Sequence, residues 1–176
     1  AGLGVDARML QEFLAEVPFA ARYPRRYEAP RITVPAVLPV PRGARSTQDG
    51  FGRILNDIAQ SDDALASRIV TTSPDVAVST NLGSWVNRRG IFHRQESSDT
   101  FAEENVVSAQ KWSMSSSGQH IELGIAEHNL FLMLSAFGLS APMFGVRLLP
   151  IGTLYDPFIR RGLDAYMPTI IAEAAR

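Results

Sequence analysis

Two glutamates, Glu122 and Glu127, interrupt the mostly apolar segment GQHIELGIAEHNLFLMLSAFGLS, residues 118–140. Glu127 stands about one helical turn ahead of Phe131, so a helix here would carry a carboxylate on an apolar surface. Burying a carboxylate costs free energy unless a charged or hydrogen-bonding partner meets it. A carboxylate in such surroundings is suited to sharing a proton with a bound group. The alternative is that Glu127 lies on a solvated helix face, as most glutamates do.

Asp75 is a second candidate, because it follows the β-branched run of residues 69–72 (IVTT) and then Ser73 and Pro74. This pattern predicts a buried strand that ends in a loop, with Asp75 exposed near the carboxyl end of the strand. Ligands of open α/β sheets bind at that edge. The alternative is a simple Asx turn after Pro74, and the pattern favours neither interpretation.

Residues 1–45 are predicted to form an N-terminal helix and a proline-rich linker. Apolar residues at helical spacing indicate a short amphipathic helix: Met9, Leu10, Phe13 and Leu14. The prolines that follow remove backbone donors and favour an extended chain over a surface: Pro24, Pro30, Pro35, Pro39 and Pro41.

Residues 46–176 are predicted to form one α/β domain. Ser46 or Thr47 is suited to cap a helix whose apolar stripe has helical spacing: Phe51, Ile54, Leu55 and Ile58. Beyond the strand at 69–72 we expect a polar loop over 93–118, a helix over about 124–138, a strand over 141–152, and a closing helix broken near Pro168. This order favours a mostly parallel sheet with helices on both faces.

The predicted sheet is small, because only about three or four strands can be counted. We therefore expect the domain to be incomplete, and the chain to be a piece of a longer polypeptide or one subunit of a protein encoded in separate chains. The helix over about 124–138 is apolar on all sides, which predicts a central position or a subunit interface.

Composition argues against several functional classes. Apolar residues make up 45% of the chain and charged residues 20%, which is typical of a globular domain. A net charge of −1 does not favour binding to nucleic acid. Cysteine is absent and the three histidines lack metal-ligand spacing, so a structural zinc site is not expected. The N-terminal residues include several charged side chains and no long apolar run, so we expect neither a signal peptide nor a membrane span. We therefore expect a cytoplasmic protein.

Three blocks carry a resemblance to a known family. ELGIAEHN resembles the thiamine-diphosphate signature of the transketolase superfamily, in which a glutamate is presented to the aminopyrimidine ring of the cofactor. SPDVAVSTNLG resembles an aspartate-containing loop of transketolases, and RLLPIGTLYDPFIRRGLDA is similar to the aromatic block that follows the glutamate helix. The order and length of these blocks are most similar to homodimeric pyruvate dehydrogenases, the decarboxylating first component of 2-oxoacid dehydrogenase complexes. The resemblance covers residues 46 to about 166.

This resemblance implies a pyrimidine-binding domain and assigns roles to four residues. Glu127 would hydrogen-bond the N1′ atom of the ring and promote the imino tautomer and ylid formation. Asp75 would lie near the aminopyrimidine, and Tyr155 and Phe158 would line it. Ordinary core packing is the alternative for this aromatic pair.

The resemblance also implies partners. Family members bind Mg²⁺ and the diphosphate through a GDG motif that is absent here, so a diphosphate-binding domain outside this chain, in the same or a partner subunit, would hold them. A homodimer, a 2-oxoacid substrate and a lipoyl acyltransferase component are further implied, and the chain alone would be inactive. The alternatives are a transketolase that moves two-carbon units between sugar phosphates, and a non-catalytic dimerisation fragment.

Other polar residues in these blocks receive less specific interpretations. We expect Glu122 to be a strand-end or interface carboxylate. His128 is expected to pack at an interface or to make a hydrogen bond. His120 is interpreted as a buried histidine with satisfied hydrogen bonds, or as part of a substrate channel. Arg160 and Arg161 are interpreted as a solvated helix face, or as charge for an anionic substrate.

Overall fold

The computed structural model describes residues 4–17, 27–38, 40–61, 64–95 and 112–162. Within these ranges the α-helices are α1 (Ala7–Glu16), α2 (Thr47–Gln60), α3 (Gly83–Arg89), α4 (Glu127–Gly138) and α5 (Ser140–Phe144). The strands are β1 (Ile69–Ser73), β2 (Ile91–Phe92), β3 (Met114–Ser115), β4 (His120–Glu122) and β5 (Leu149–Gly152). Two 3₁₀ helices, Ala66–Arg68 and Asp156–Gly162, complete the described elements.

The five strands form one sheet in the order β3-β2-β4-β1-β5, and every described strand pair is parallel. Strand β1 lies between β4 and β5, with Thr71 opposite His120 on one side and Ile151 on the other. The chain is therefore an α/β protein with a parallel sheet, as the order of its elements predicts.

Helices cover both faces of the sheet. A Cβ built at Gly152 would lie 2.8 Å from Leu134 Cδ1 and 3.0 Å from Leu130 Cδ1, so α4 covers the face toward which position 152 points. Ile151 points to the opposite face, since successive strand residues alternate. There it packs against the main core, which is built from α2, α3 and the strands: Leu55, Ala59, Leu65, Ile69, Ala77, Leu82, Trp85, Val86 and Ile91.

Helix α2 begins as its sequence predicts. The Ser46 side chain accepts a hydrogen bond from the Asp49 backbone N–H at 3.1 Å, which satisfies a donor that the first helical turn leaves free. Leu55 and Ala59 are buried from the predicted apolar stripe, and Phe51 is 40% exposed. The helix therefore packs through part of its stripe and leaves Phe51 available at its first turns.

Two predicted elements differ from the structure. The segment 141–152 is not a continuous strand, because its first residues belong to α5 and only Leu149–Gly152 pair with β1. Pro142 is tolerated in the first turn of α5, and Gly145 ends that helix in the left-handed conformation with φ of 68°. The described part of the predicted closing helix contains a 3₁₀ helix, Asp156–Gly162, in place of an α-helix. Residues 163–176, with the predicted break near Pro168, lie outside the described residues.

Helix α1 forms where predicted, and its apolar residues stay exposed, with none of its residues buried. Residues 27–38 and 40–46 contain no helix or strand, and the Tyr27 backbone N–H donates to the Pro142 carbonyl oxygen at 2.9 Å. Of the predicted polar loop, residues 96–111 lie outside the described ranges, and its end contains β3. No helix in the described part of the chain is long and apolar enough to cross a membrane.

Two glycines of α2, Gly50 and Gly52, provide a matched test of how closely α2 packs against the loop that follows β1. A Cβ at Gly52 would lie 2.5 Å from the Asn81 carbonyl oxygen, whereas a Cβ at Gly50 would be 3.8 Å from the flexible Arg45 side chain. We expect Gly52→Ala to lower the free energy of unfolding by about 1–3 kcal/mol, since backbone must move. Gly50→Ala should raise it by up to about 1 kcal/mol, because alanine favours helix. Urea unfolding of both variants measures the difference, and equal effects would contradict the close approach of α2 to Asn81.

Candidate functional site

The residues selected from the sequence converge at one edge of the sheet. Asp75 follows β1, Glu127 follows β4, and Tyr155 and Phe158 follow β5. These three strands are neighbours and parallel, so their carboxyl ends lie together. The edge outside the carboxyl ends of parallel strands is where α/β proteins bind ligands.

Glu127 is the first residue of α4, and its side chain is only 8% exposed. The preceding Ala126 provides no side-chain cap, so the carboxylate is the negative group at this helix N-terminus, where the helix dipole favours it. Its partner is the Arg161 guanidinium, whose Nη1 donates to Glu127 Oε1 at 3.1 Å. The structure thus supplies the partner that the apolar segment requires.

Arg161 joins the carboxylate to the aromatic pair. Its guanidinium carbon lies 4.3 Å from the centre of the Phe158 ring, within the range of a cation–π contact. Phe158 in turn lies 6.2 Å from Tyr155 between ring centres, with the ring planes at 54°. Glu127, Arg161, Phe158 and Tyr155 therefore form one connected row. Arg161 is still 57% exposed, so it is solvated, as interpreted from the sequence, and it also pairs with Glu127.

Gly162 explains how the 3₁₀ helix reaches α4. This residue is buried, and a Cβ built on it would lie 1.7 Å from Phe131 Cδ2. Only glycine lets the backbone approach the α4 side chain this closely. That approach places the adjacent Arg161 over Glu127.

A cleft of about 830 Å³ opens beside the aromatic pair, between the start of α2 and the end of β5. Three aromatic side chains and several hydroxyl and amide groups line it: Phe51, Tyr155, Phe158, Thr47, Gln48, Thr80 and Thr153. The Tyr155 hydroxyl donates to Ser79 Oγ at 2.5 Å, which holds its ring against the loop after β1. Glu127 does not line the cleft, but Phe158 contacts both the cleft and the Arg161 guanidinium.

Asp75 lies where the sequence predicts it, exposed just beyond β1. Its φ of 61° is in the left-handed region, which is unfavourable for most residues and tolerated by aspartate. Its backbone N–H donates to Glu122 Oε1 at 2.7 Å, a short hydrogen bond to a carboxylate that stabilises this conformation. The loop that carries Asp75 is therefore fixed by a residue of the neighbouring strand.

Glu122 is confirmed as a strand-end carboxylate, and it contacts more groups than the sequence suggests. Oε1 accepts from the backbone N–H groups of Asp75 at 2.7 Å and Leu123 at 3.0 Å. Oε2 accepts from Ser73 Oγ at 3.3 Å and lies 3.4 Å from His120 Nε2. Partial burial acts to raise the pKa of Glu122, but hydrogen bonds from His120 and the two backbone N–H groups outweigh it and lower the pKa.

His120 is a fully buried histidine with both ring nitrogens near a partner. Its Nδ1 lies 2.9 Å from Thr71 Oγ1, and its Nε2 faces Glu122. A neutral imidazole with the proton on Nε2 satisfies both contacts, since the Thr71 hydroxyl can then donate to Nδ1. This burial confirms the interpretation of a satisfied histidine and excludes His120 from the surface of a substrate channel in the described chain.

Sequence reasoning underestimated Glu122 and Arg161 for different reasons. Residues two apart on a strand share a face, so the pattern HIE contains the signal for a His120–Glu122 contact. No comparable signal exists for Arg161, because its contact with Glu127 spans 34 residues and depends on how the 3₁₀ helix packs.

The groups around Glu127 are chemically compatible with the aminopyrimidine part of thiamine diphosphate. Glu127 is a nearly buried carboxylate that already binds a planar N–H donor resting on an aromatic ring, and an aminopyrimidine offers a planar ring with comparable polar groups. In the described part of the chain, no cluster of three or more acidic or histidine side chains is arranged to hold a metal ion.

Lowering the pH should remove the stabilisation that the Glu122 carboxylate provides. Because its folded pKa lies below the ordinary 4.5, this contribution is fully present above pH 4.5 and is lost as the pH falls through the folded value. At neutral pH, Glu122→Gln should cost about 1–2 kcal/mol, since hydrogen bonds to charged groups are stronger than neutral ones. Urea unfolding between neutral and acidic pH should show the difference from the unmodified chain shrinking as the pH falls.

The exposed Asp57→Asn in α2 is the control, expected to change the unfolding free energy by no more than about 0.5 kcal/mol at neutral pH. A Glu122→Gln effect that grew on acidification would contradict the hydrogen-bonding role of the ionised carboxylate.

No protein-family model matches the chain, and no curated protein matches it significantly. The family hypothesis therefore depends on the three sequence blocks and on the geometry of the residues they contain.

Proposed function

We propose that this chain is the central, pyrimidine-binding region of a thiamine-diphosphate-dependent enzyme similar to the 2-oxoacid dehydrogenases, acting on pyruvate or a related 2-oxoacid in the cytoplasm. One observation carries the proposal. The nearly buried Glu127 carboxylate binds a planar N–H donor over Phe158, at the sheet edge where the three family-like blocks converge.

Glu127 has the position and burial needed to control a proton at N1′ of a bound aminopyrimidine. When bound, thiamine diphosphate would supply a carbon nucleophile for chemistry at the 2-oxo group of the substrate. Because the Glu127 side chain is only 8% exposed, little water competes for its carboxylate. A carboxyl in this setting can hold and share a proton with the ring nitrogen, which is general acid–base catalysis.

The aromatic pair has the geometry to bind and orient the ring. Phe158 presents one face toward the Glu127 side of the site, where Arg161 now rests, and it also lines the cleft. Tyr155 lines the same cleft and is held by its hydrogen bond to Ser79. An electron-poor ring gains from offset stacking on such side chains.

Asp75 and Glu122 contribute through the loops beside the ring. Asp75 is exposed at the sheet edge, so its carboxylate is accessible to a polar group of the ligand. Glu122 acts through that loop, because it holds the backbone of Asp75 and the start of the segment that leads to Glu127. It is a positioning residue in this proposal.

The complete enzyme requires more than this chain. We propose that Mg²⁺ and the diphosphate are held by a diphosphate-binding domain of the same or a partner subunit, and that a lipoyl acyltransferase accepts the acyl group. Exposed apolar residues beside Glu127 support association with a second copy, since Ile125 is 82% exposed and Leu132 on α4 is 48% exposed. A homodimer would cover this surface.

The isolated 176-residue chain should fold, bind thiamine diphosphate only weakly and show no turnover, because the proposed diphosphate ligands lie elsewhere. Isothermal titration calorimetry with Mg²⁺ present measures the affinity. A dissociation constant in the micromolar range for this chain alone would contradict the half-site proposal.

Glu127→Gln in the complete enzyme tests the proton role. The substitution keeps the size of the side chain but removes the ionisable carboxyl, so deuterium exchange at C2 of the bound cofactor should slow by at least about 10²-fold. Nuclear magnetic resonance measures this exchange without any substrate. An unchanged exchange rate would show that Glu127 has another role.

Glu12→Gln provides the matched control for this experiment. Glu12 lies on α1, 66% exposed in an ion pair with Arg8, and such surface pairs contribute little. Its substitution should leave the exchange rate and the fold unchanged.

A further inference from the structure

Arg161 lies between the two groups that the proposed function assigns to the ligand ring. Its Nη1 donates to Glu127 Oε1 at 3.1 Å, and its guanidinium carbon lies 4.3 Å from the centre of the Phe158 ring. The Arg161 side chain is 57% exposed, whereas that of Glu127 is 8% exposed. The guanidinium therefore reaches a nearly buried carboxylate from the solvent side of the site.

A guanidinium and a protonable aminopyrimidine share the relevant chemistry. Both are planar, both present N–H groups to a carboxylate, and both stack on an aromatic face. Each planar group in a stack needs about 3.5–4 Å, so the 4.3 Å between Arg161 and Phe158 leaves no room for a ring between them. A ring that contacts both Glu127 and this face of Phe158 must displace Arg161.

We propose that Arg161 occupies the ring subsite of the free chain and acts as a specificity-determining residue that a ligand must displace. This inference rests on the proposed function. A competing ligand must replace both contacts of the guanidinium, the hydrogen bond to Glu127 and the stacking on Phe158. Purely apolar rings and non-planar cations replace only one of them, so Arg161 selects for planar nitrogen heterocycles.

The local structure allows this displacement. Gly162 holds the backbone of the 3₁₀ helix against Phe131, so the Arg161 side chain can rotate into solvent while the backbone stays in place. Half-exposed ion pairs and cation–π contacts are each weak, so the competition should reduce ligand affinity by about 3- to 20-fold.

Thiamine is the probe for the test, because it carries the aminopyrimidine without the diphosphate that other domains would hold. Ligand-observed nuclear magnetic resonance at millimolar thiamine gives the affinity of the full 176-residue chain. Arg161→Ala should bind thiamine about 3- to 20-fold more tightly than the unmodified chain, in line with the competition estimated above. Arg161→Lys should tighten binding by less, since lysine keeps a cation near Glu127 but cannot stack as a plane.

Arg160→Ala is the matched control, because Arg160 is the exposed neighbour in the same 3₁₀ helix. It should leave thiamine affinity unchanged. Circular dichroism shows whether each variant is folded, and Arg161→Lys keeps the test decisive if Arg161→Ala does not fold.

The outcomes separate the two proposals. If both Arg161 variants bind thiamine no more tightly than the unmodified chain, while Glu127→Gln loses binding, the inference that a ligand must displace Arg161 is wrong and the proposed site stands. If neither the unmodified chain nor any variant binds thiamine at millimolar concentration, the inference about Arg161 is wrong. The proposed function is overturned by a different result, an unchanged C2 exchange rate in Glu127→Gln of the complete enzyme.

Discussion

Parallel pairing of β1 with β4 on one side and β5 on the other determines the geometry of the candidate site. Because parallel strands bring their carboxyl ends to one edge, segments separated by tens of residues meet there. The register that sets Thr71 beside His120 and Ile151 also determines which loop residues become neighbours. A change of one residue in that register would turn the side chains of a strand to the other face of the sheet.

Glu122 connects the loops that follow β1 and β4 at the edge of the sheet. One carboxylate satisfies the backbone N–H of Asp75 after β1 and that of Leu123 after β4, while His120 beneath it is fully buried. A partly buried polar network of this kind favours one conformation of the two loops when its members are hydrogen-bonded. It also supports Asp75 at its positive φ, because Glu122 accepts the hydrogen bond of the Asp75 backbone N–H.

The two glutamates of segment 118–140, Glu122 and Glu127, thus have different physical roles. The Glu122 carboxylate accepts hydrogen bonds from donors on its own strand and next to the neighbouring strand. Its oxygens are therefore already hydrogen-bonded within the protein. Glu127 has a half-exposed partner, Arg161, that solvent or a ligand can replace. A carboxylate with a replaceable partner is available for binding and proton transfer, whereas a fully engaged one is suited to positioning.

The sequence by itself determined the features that arise from local periodicity and capping. The apolar stripe and the Ser46 cap predict α2, the β-branched run predicts β1, and the apolar segment around Glu127 predicts α4. It did not determine α5 or the 3₁₀ helix, because short elements are decided by local turns and packing.

Only the tertiary structure decided that Arg161 meets Glu127 and that Glu122 joins two loops. These contacts link residues 34 and 47 positions apart. Their distances depend on strand register and on the close approach of Gly162 to Phe131, which no local pattern encodes.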